Sequence, residues 1–124
     1  MGANVAQQAY AAFADGNIPA LLDLVSDDVE WTSPETLPQG GSFKGRDGVL
    51  EFFQRVGASW SSLRLTVEAL DDLTGDLVVG VVRADGTLTN GSPGHYGAAH
   101  VFRVTGGKIS GFREYVDADT AITA

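Results

Sequence analysis

The stretch Ala98–Asp119, AAHVFRVTGGKISGFREYVDAD, constrains the fold more than any other part of this chain. Two β-rich runs flank Gly106-Gly107, the chemistry of a two-residue hairpin loop. A loop of that length pairs Val104 with Ile109, Phe102 with Gly111, His100 with Arg113 and Ala98 with Tyr115. Side chains alternate across a strand, so this register collects His100, Phe102, Arg113, Tyr115 and Asp117 on one face. Val101, Arg103, Phe112, Glu114 and Val116 fall on the other. The first face mixes rings with titratable groups, as a ligand pocket does. The second is mostly apolar with an Arg103/Glu114 pair, and reads as a partner surface.

The remainder of the 124 residues supplies elements to pack against this hairpin, and the length suits one domain, 1–124. Val5, Ala6, Ala9, Tyr10 and Phe13 recur at helical spacing up to Asp15-Gly16. Asn17 caps a second helix with Pro19 in its first turn. Val29–Thr32 reads as a short strand. Ser33–Gly45 holds two prolines and three glycines and reads as a long irregular loop, a length more often functional than idle. Val49, Leu50, Phe52, Phe53 and Val56 give a third helix a wide apolar face. Leu63–Ala69 alternates as a half-buried strand, and Leu77–Arg83 is a denser one closed by Asp85-Gly86. Thr87–Gly97, with its glycines and Pro93, predicts broken or edge pairing. Two helices, a strand, a helix and four longer antiparallel strands make an α+β domain with helices on one face of a curved sheet.

Composition narrows the function. Sixteen acidic residues against eight basic ones give a net charge of −8 with no basic cluster. Nucleic acid and anionic membranes are therefore poor partners. No run approaches a membrane span, and no signal peptide is visible. The absence of cysteine removes disulfide and thiol chemistry and suits a cytoplasmic setting. Two histidines without paired spacing predict no metal site, and no phosphate-cradling loop or nucleophile triad points to a cofactor or to covalent catalysis.

Several motifs resemble the SnoaL-like branch of the nuclear-transport-factor-2-like superfamily. They are Tyr10-x-x-Phe13 with Gly16-x-Ile18, Asp28-Val29-Glu30-Trp31, Phe43-x-Gly45 before Val49-x-x-Phe52-Phe53, His100–Val104, Gly107–Ile109 and Arg113-Glu114-Tyr115-x-Asp117. The resemblance spans almost the whole chain. It implies a cone-shaped, curved antiparallel sheet wrapped around three N-terminal helices, an internal pocket for a small apolar molecule, and a homodimer through the outer sheet face. It is specific for the fold and not for the reaction, since one frame hosts many functions. Similarity to polyketide cyclases makes Asp117 an acid/base residue on the last strand. Similarity to ketosteroid isomerases sets His100 where an oxyanion-hole acid stands and Trp31 where the proton-shuttling Asp stands, so their chemistry does not carry over. Similarity to limonene-epoxide hydrolases matches Arg83-Ala84-Asp85 and Asp117, with Glu30 and Thr32 in place of the residues that hold the water.

Each candidate residue has a plain reading beside the functional one. Asp117 is either a solvated strand-end residue or a carboxylate at the pocket mouth, near Tyr115 and opposite Tyr96. In the second case burial raises its pKa and suits it as a general base. His100, a lone histidine on an apolar strand, is either a satisfied core residue or a donor to substrate. On the predicted register it lies about 13 Å from Asp117, which favours a two-point site over a dyad. Tyr10, Phe13, Trp31, Phe52, Trp60 and Phe102 are core rings, some of which line the cavity. Arg83, Tyr96 and Arg113 complete the expected pocket. Asp85-Gly86 doubles as a turn dipeptide.

The expectation is a cofactor-independent acid/base enzyme, of isomerase or cyclase type, on an apolar carbonyl or polyketide-like substrate. Asp117 moves the proton, and His100 or Tyr115 hydrogen-bonds the enolate oxygen. The alternatives are a non-catalytic binding or scaffold dimer, and an epoxide hydrolase using Arg83, Asp85 and Asp117.

Overall fold

The computed structural model describes residues 2–73, 75–116 and 121–122, with side chains for the first two ranges. Helices α1 (Gly2–Ala14) and α2 (Ile18–Leu22) lead into strand β1 (Val25–Ser33) and β2 (Gly41–Lys44). Helix α3 (Gly45–Ser59) follows, then β3 (Trp60–Asp72), β4 (Leu77–Leu88), β5 (Pro93–Thr105), β6 (Lys108–Val116) and the short β7 (Ala121–Ile122). The main path of the sheet runs β2-β1-β6-β5-β4-β3, with β7 beside β5. All pairs are antiparallel except β1 and β6. The sheet is curved and unclosed, and the helices fill its concave side.

Local chemistry explains the helical part. Asn17 accepts the Ala20 backbone N–H at 3.2 Å, which satisfies one orphan donor of α2, and Pro19 needs no such partner. Gly16, at φ 68°, makes the break between the two helices. Ala6, Ala9 and Ala12 are the buried residues of α1. Their small side chains let the helix lie close to the sheet, while Tyr10 and Phe13 lean into the centre. Val49, Phe52 and Val56 are buried along α3.

Two expectations about irregular segments are corrected. The stretch 33–45 is not irregular throughout, because Gly41–Lys44 pairs with β1, Phe43 opposite Trp31. The stretch 87–97 is not broken, since β4 continues to Leu88 and Thr87 pairs with Pro93. Pro93 begins β5, where a missing N–H does least harm to the ladder.

The third correction concerns the central hairpin. Gly106 and Gly107, at φ 60° and 79°, form the predicted loop, and Val104 does face Ile109. The register then shifts at Ser110, so that Arg103 faces Gly111, Phe102 faces Phe112 and His100 faces Glu114. One extra residue on β6 makes a β-bulge, and every side chain beyond it changes face. Phe112 and Glu114 are buried, whereas Arg113 and Tyr115 are exposed. The face predicted for the pocket thus keeps His100 and Phe102 but loses Arg113 and Tyr115. The face predicted for a partner keeps Val101 and Arg103 but loses Phe112, Glu114 and Val116, and the Arg103/Glu114 pair does not form.

Candidate functional site

The concave face of β5 and β6 is where the buried polar groups meet. His100 and Glu114 are 4% and 6% exposed, side by side across the ladder. His100 Nε2 lies 2.8 Å from Glu114 Oε2 and its Nδ1 lies 2.7 Å from the Tyr10 hydroxyl. The Ser33 hydroxyl donates to Glu114 Oε1 at 2.6 Å. An ionised carboxylate only accepts, so Nε2 carries a hydrogen toward Glu114. In the neutral imidazole, Nδ1 is then an acceptor for the Tyr10 O–H. Ser33, Glu114, His100 and Tyr10 form one relay with every buried atom paired, as burial of polar groups demands.

Each member is held by the fold. The parallel β1–β6 pair brings Ser33 to Glu114 and stacks Trp31 on Phe112 with ring centres 4.0 Å apart. Helix α1 delivers Tyr10, whose ring stacks on His100 at 5.8 Å and meets Phe102 edge-on at 5.7 Å. Gly80 of β4 makes room for its hydroxyl, since a Cβ there would lie 2.6 Å from that oxygen. Burial, and secondarily the Glu114 charge, push the Tyr10 phenol well above its ordinary range.

A second polar group stands farther along the same face of β5. Tyr96 and Gln39 are 4% and 2% exposed. The Trp60 indole donates to Gln39 Oε1 at 3.0 Å, and Gln39 Nε2 donates to the Tyr96 hydroxyl at 3.3 Å. Burial and then Glu114 raise the Tyr96 phenol too, with the Gln39 bond pulling the other way.

Both groups line one cavity of about 60 Å³, walled by Tyr10, Phe13, Trp31, Phe52, Phe53, Phe102 and Phe112 and by Leu21, Leu63 and Leu65. That space has room for a few water molecules. Trp31 lines this cavity with a buried indole N–H that has no hydrogen-bond partner among the described residues.

Of the expected pocket residues, the structure brings together Tyr10, Phe13, Trp31, Phe52, Tyr96, His100 and Phe102. Trp60 is buried beside Tyr96 and positions Gln39 without lining the cavity. Arg83 is exposed and turns to Glu68 at 3.6 Å, and Arg113 and Tyr115 lie on the outer face. These three leave the pocket. Asp85 is exposed but lies inside β4, paired with Arg64 and His95, so Asp85-Gly86 does not close the strand as predicted. Asp117 lies outside the described residues. Glu114 and Gln39 were missed. The signal for Glu114 is present in the sequence: Ile109 and Phe112 are apolar at a spacing of three with Ser110-Gly111 between them, the trace of a bulge. Gln39 carries no comparable mark within its loop.

Among the described residues, no group of three His, Cys, Asp or Glu side chains is placed to hold a metal ion, and no helix is long and apolar enough to cross a membrane. Residues 6–112 match the SnoaL-like domain family. A NTF2-like protein of Burkholderia thailandensis is 30% identical, with a TM-score of 0.86 over 94% of this chain and 90% of that one. A NTF2-like protein of unknown function from Burkholderia pseudomallei is 25% identical, with a TM-score of 0.85 over 94% and 90%. TerC, co-crystallised with polyporic acid, is 26% identical, with a TM-score of 0.84 over 94% and 91%. No functionally curated protein matches. With the family match covering both the α1 ring pair and the β5–β6 hairpin, the chain belongs to the SnoaL-like family of NTF2-like folds.

Proposed function

We propose that the protein is a cofactor-independent proton-transfer enzyme, of isomerase or cyclase type, acting on a small apolar carbonyl compound. The observation that carries this reading is the Tyr10–His100–Glu114 relay at the wall of an apolar cavity. The relay has two states one proton apart. With His100 neutral, the Tyr10 hydrogen points at Nδ1 and a lone pair of its oxygen is free for the cavity. With His100 protonated, Nδ1–H donates to Tyr10, and the Tyr10 O–H is free instead.

A proton leaving the carbon next to a carbonyl passes to the Tyr10 oxygen as Tyr10's own hydrogen moves to His100 Nδ1. The C–H electron pair becomes an enolate, and the imidazolium is balanced by Glu114. Reversal at another carbon gives the isomer. Tyr10 remains neutral throughout, in keeping with its raised pKa, and Asp117, the shuttle that the sequence predicts, lies outside the described residues. Similarity to TerC, which takes polyporic acid in its crystals, supports a small organic ligand. The absence of cysteine supports a cytoplasmic setting.

Deuterium uptake by acetophenone in deuterium oxide, followed by NMR, tests the reading. The wild-type protein is expected to accelerate exchange at the methyl carbon, and Tyr10→Phe to remove most of that acceleration. Binding without exchange in the wild type would leave a non-catalytic ligand-binding protein. The epoxide-hydrolase alternative has lost its cation, because Arg83 pairs with Glu68 outside the cavity.

A homodimer remains part of the proposal, through a corrected surface. Val81 is 41% and Tyr115 54% exposed, and Val81 faces Ala99, which faces Tyr115, across β4, β5 and β6. Val101 lies on the same outer face. Such a patch favours a partner. Sedimentation at micromolar concentration is expected to show a dimer that Val101→Asp dissociates, and a monomeric wild type would remove the idea.

A further inference from the structure

The Gln39–Tyr96 group holds more donors than acceptors can use. Indole is a donor only, so the Trp60 bond fixes which way the Gln39 amide points: its oxygen faces Trp60 and its nitrogen faces Tyr96. The Tyr96 oxygen is therefore an acceptor in that bond, and its own O–H has no partner among the described residues. The second N–H of the amide is equally unspent. Both residues are more than nine-tenths buried and line the cavity. Leaving such donors unmade in a buried site is costly. The cavity's other polar liners, Tyr10, His100 and Glu114, bond one another, and the remaining walls are rings and aliphatic chains.

We propose that Gln39 and Tyr96, set by Trp60, are a specificity pole that holds a neutral carbonyl oxygen of the bound molecule and fixes its orientation toward Tyr10 and His100. This rests on the proton-transfer reading for its second half only. A carbonyl oxygen is an acceptor without a hydrogen, so it takes both spare donors and competes for neither. A carboxylate is disfavoured, because the Glu114 charge faces the same cavity. Tyr96 and His100 are four residues apart on one strand face, so their backbones stand about 13 Å apart. A planar molecule lying between them presents its oxygen at the Gln39–Tyr96 end and its apolar body toward Tyr10 and His100. The ligand class is then an aryl ketone or an enone with its oxygen at one edge of a flat apolar body.

The test is a binding measurement with a matched pair, acetophenone and ethylbenzene, which differ in one carbonyl group. Dissociation constants from NMR titration of the wild-type protein are expected to favour acetophenone about tenfold, the worth of one such bond. Tyr96→Phe and Gln39→Met, each shown folded by its methyl spectrum, are expected to erase that preference, so that the two probes bind alike. Two substitutions guard against one of them failing to fold. Equal binding of the two probes by the wild type would overturn the proposal, since water would then be the partner of the donors. Loss of preference in Tyr10→Phe alone would also overturn it, by seating the oxygen at the relay. Failure of the proton-transfer reading shows separately, as binding with no deuterium uptake.

Discussion

His100 Nε2 and Glu114 Oε2 lie 2.8 Å apart across β5 and β6, and they meet only because one residue, Ser110, stands outside the ladder. Without that bulge His100 would face Arg113, and the carboxylate would point outward. The acid/base character of the cavity therefore depends on a backbone irregularity near the loop, not on the loop itself.

Glu114→Gln keeps the shape of the side chain and removes its charge. His100 then loses the counter-charge of its protonated form, so proton transfer is expected to fall about a hundredfold to ten-thousandfold, the usual contribution of a positioned acid or base. Glu114→Ala also leaves Ser33 and His100 unpaired, and is expected to cost about 3 kcal/mol of stability. Exchange kinetics and denaturant titration of the two variants separate chemistry from folding. Equal loss of activity and stability in Glu114→Gln would assign the carboxylate a structural role.

Deleting Ser110 tests the register directly. The shortened strand keeps the native pairs, Gly111 with Arg103, Phe112 with Phe102 and Glu114 with His100, so the fold and the relay are expected to survive with only the local twist of the bulge lost. Ser110→Ala loses only exposed bonds to Thr105 and Arg103, a change within about 0.5 kcal/mol. Thermal melts of both variants decide it. A deletion that unfolds the chain would mean that Ser110 does more than absorb one residue of register.

The legible part of the fold was the part written in local chemistry. Asn17 and Pro19 announce a helix start, Gly106-Gly107 a hairpin, and the rings of α1 and α3 a core. The site was legible in part, because the parity of β5 alone puts His100 and Phe102 on one face. It failed on β6, where correct alternation was carried through a residue that breaks it. Glu114 looked like a solvent-side partner of Arg103 for that reason alone. The closeness of β1 and β6 is a long-range parallel contact, so neither Ser33 beside Glu114 nor Trp31 on Phe112 had any local sign.

The two buried phenols give a pH signature. Burial first, and Glu114 second, raise Tyr10 and Tyr96 above the ordinary 10.0. The folded chain then holds these protons where the unfolded chain releases them. Their contribution to stability is complete below the unfolded value near 10 and is lost as pH rises above it toward the folded values. Stability is expected to fall steeply above that point, and Tyr10→Phe or Tyr96→Phe to flatten the slope. In a Tyr115→Phe background, ultraviolet absorbance reports Tyr10 and Tyr96 alone. Phenolate formation in the ordinary range there, with the fold intact, would contradict their burial.

Gly80 tests the Tyr10 contact from outside the relay. A methyl group at this position would stand 2.6 Å from the Tyr10 hydroxyl and 3.4 Å from a Leu70 methyl group. The hydroxyl is the free end of a side chain and swings away at little cost, whereas the 2.7 Å bond to His100 Nδ1 does not survive the move. Gly80 carries no positive φ, so alanine brings no backbone strain and a small entropic gain. Gly80→Ala leaves His100 Nδ1 without its partner, so it is expected to cost about 1–3 kcal/mol of stability and to lower proton transfer nearly as far as Tyr10→Phe does. Combining the two substitutions should add little, because both remove the same contact. Additive losses in the double variant would place the effect of Gly80 elsewhere and detach Tyr10 from the relay.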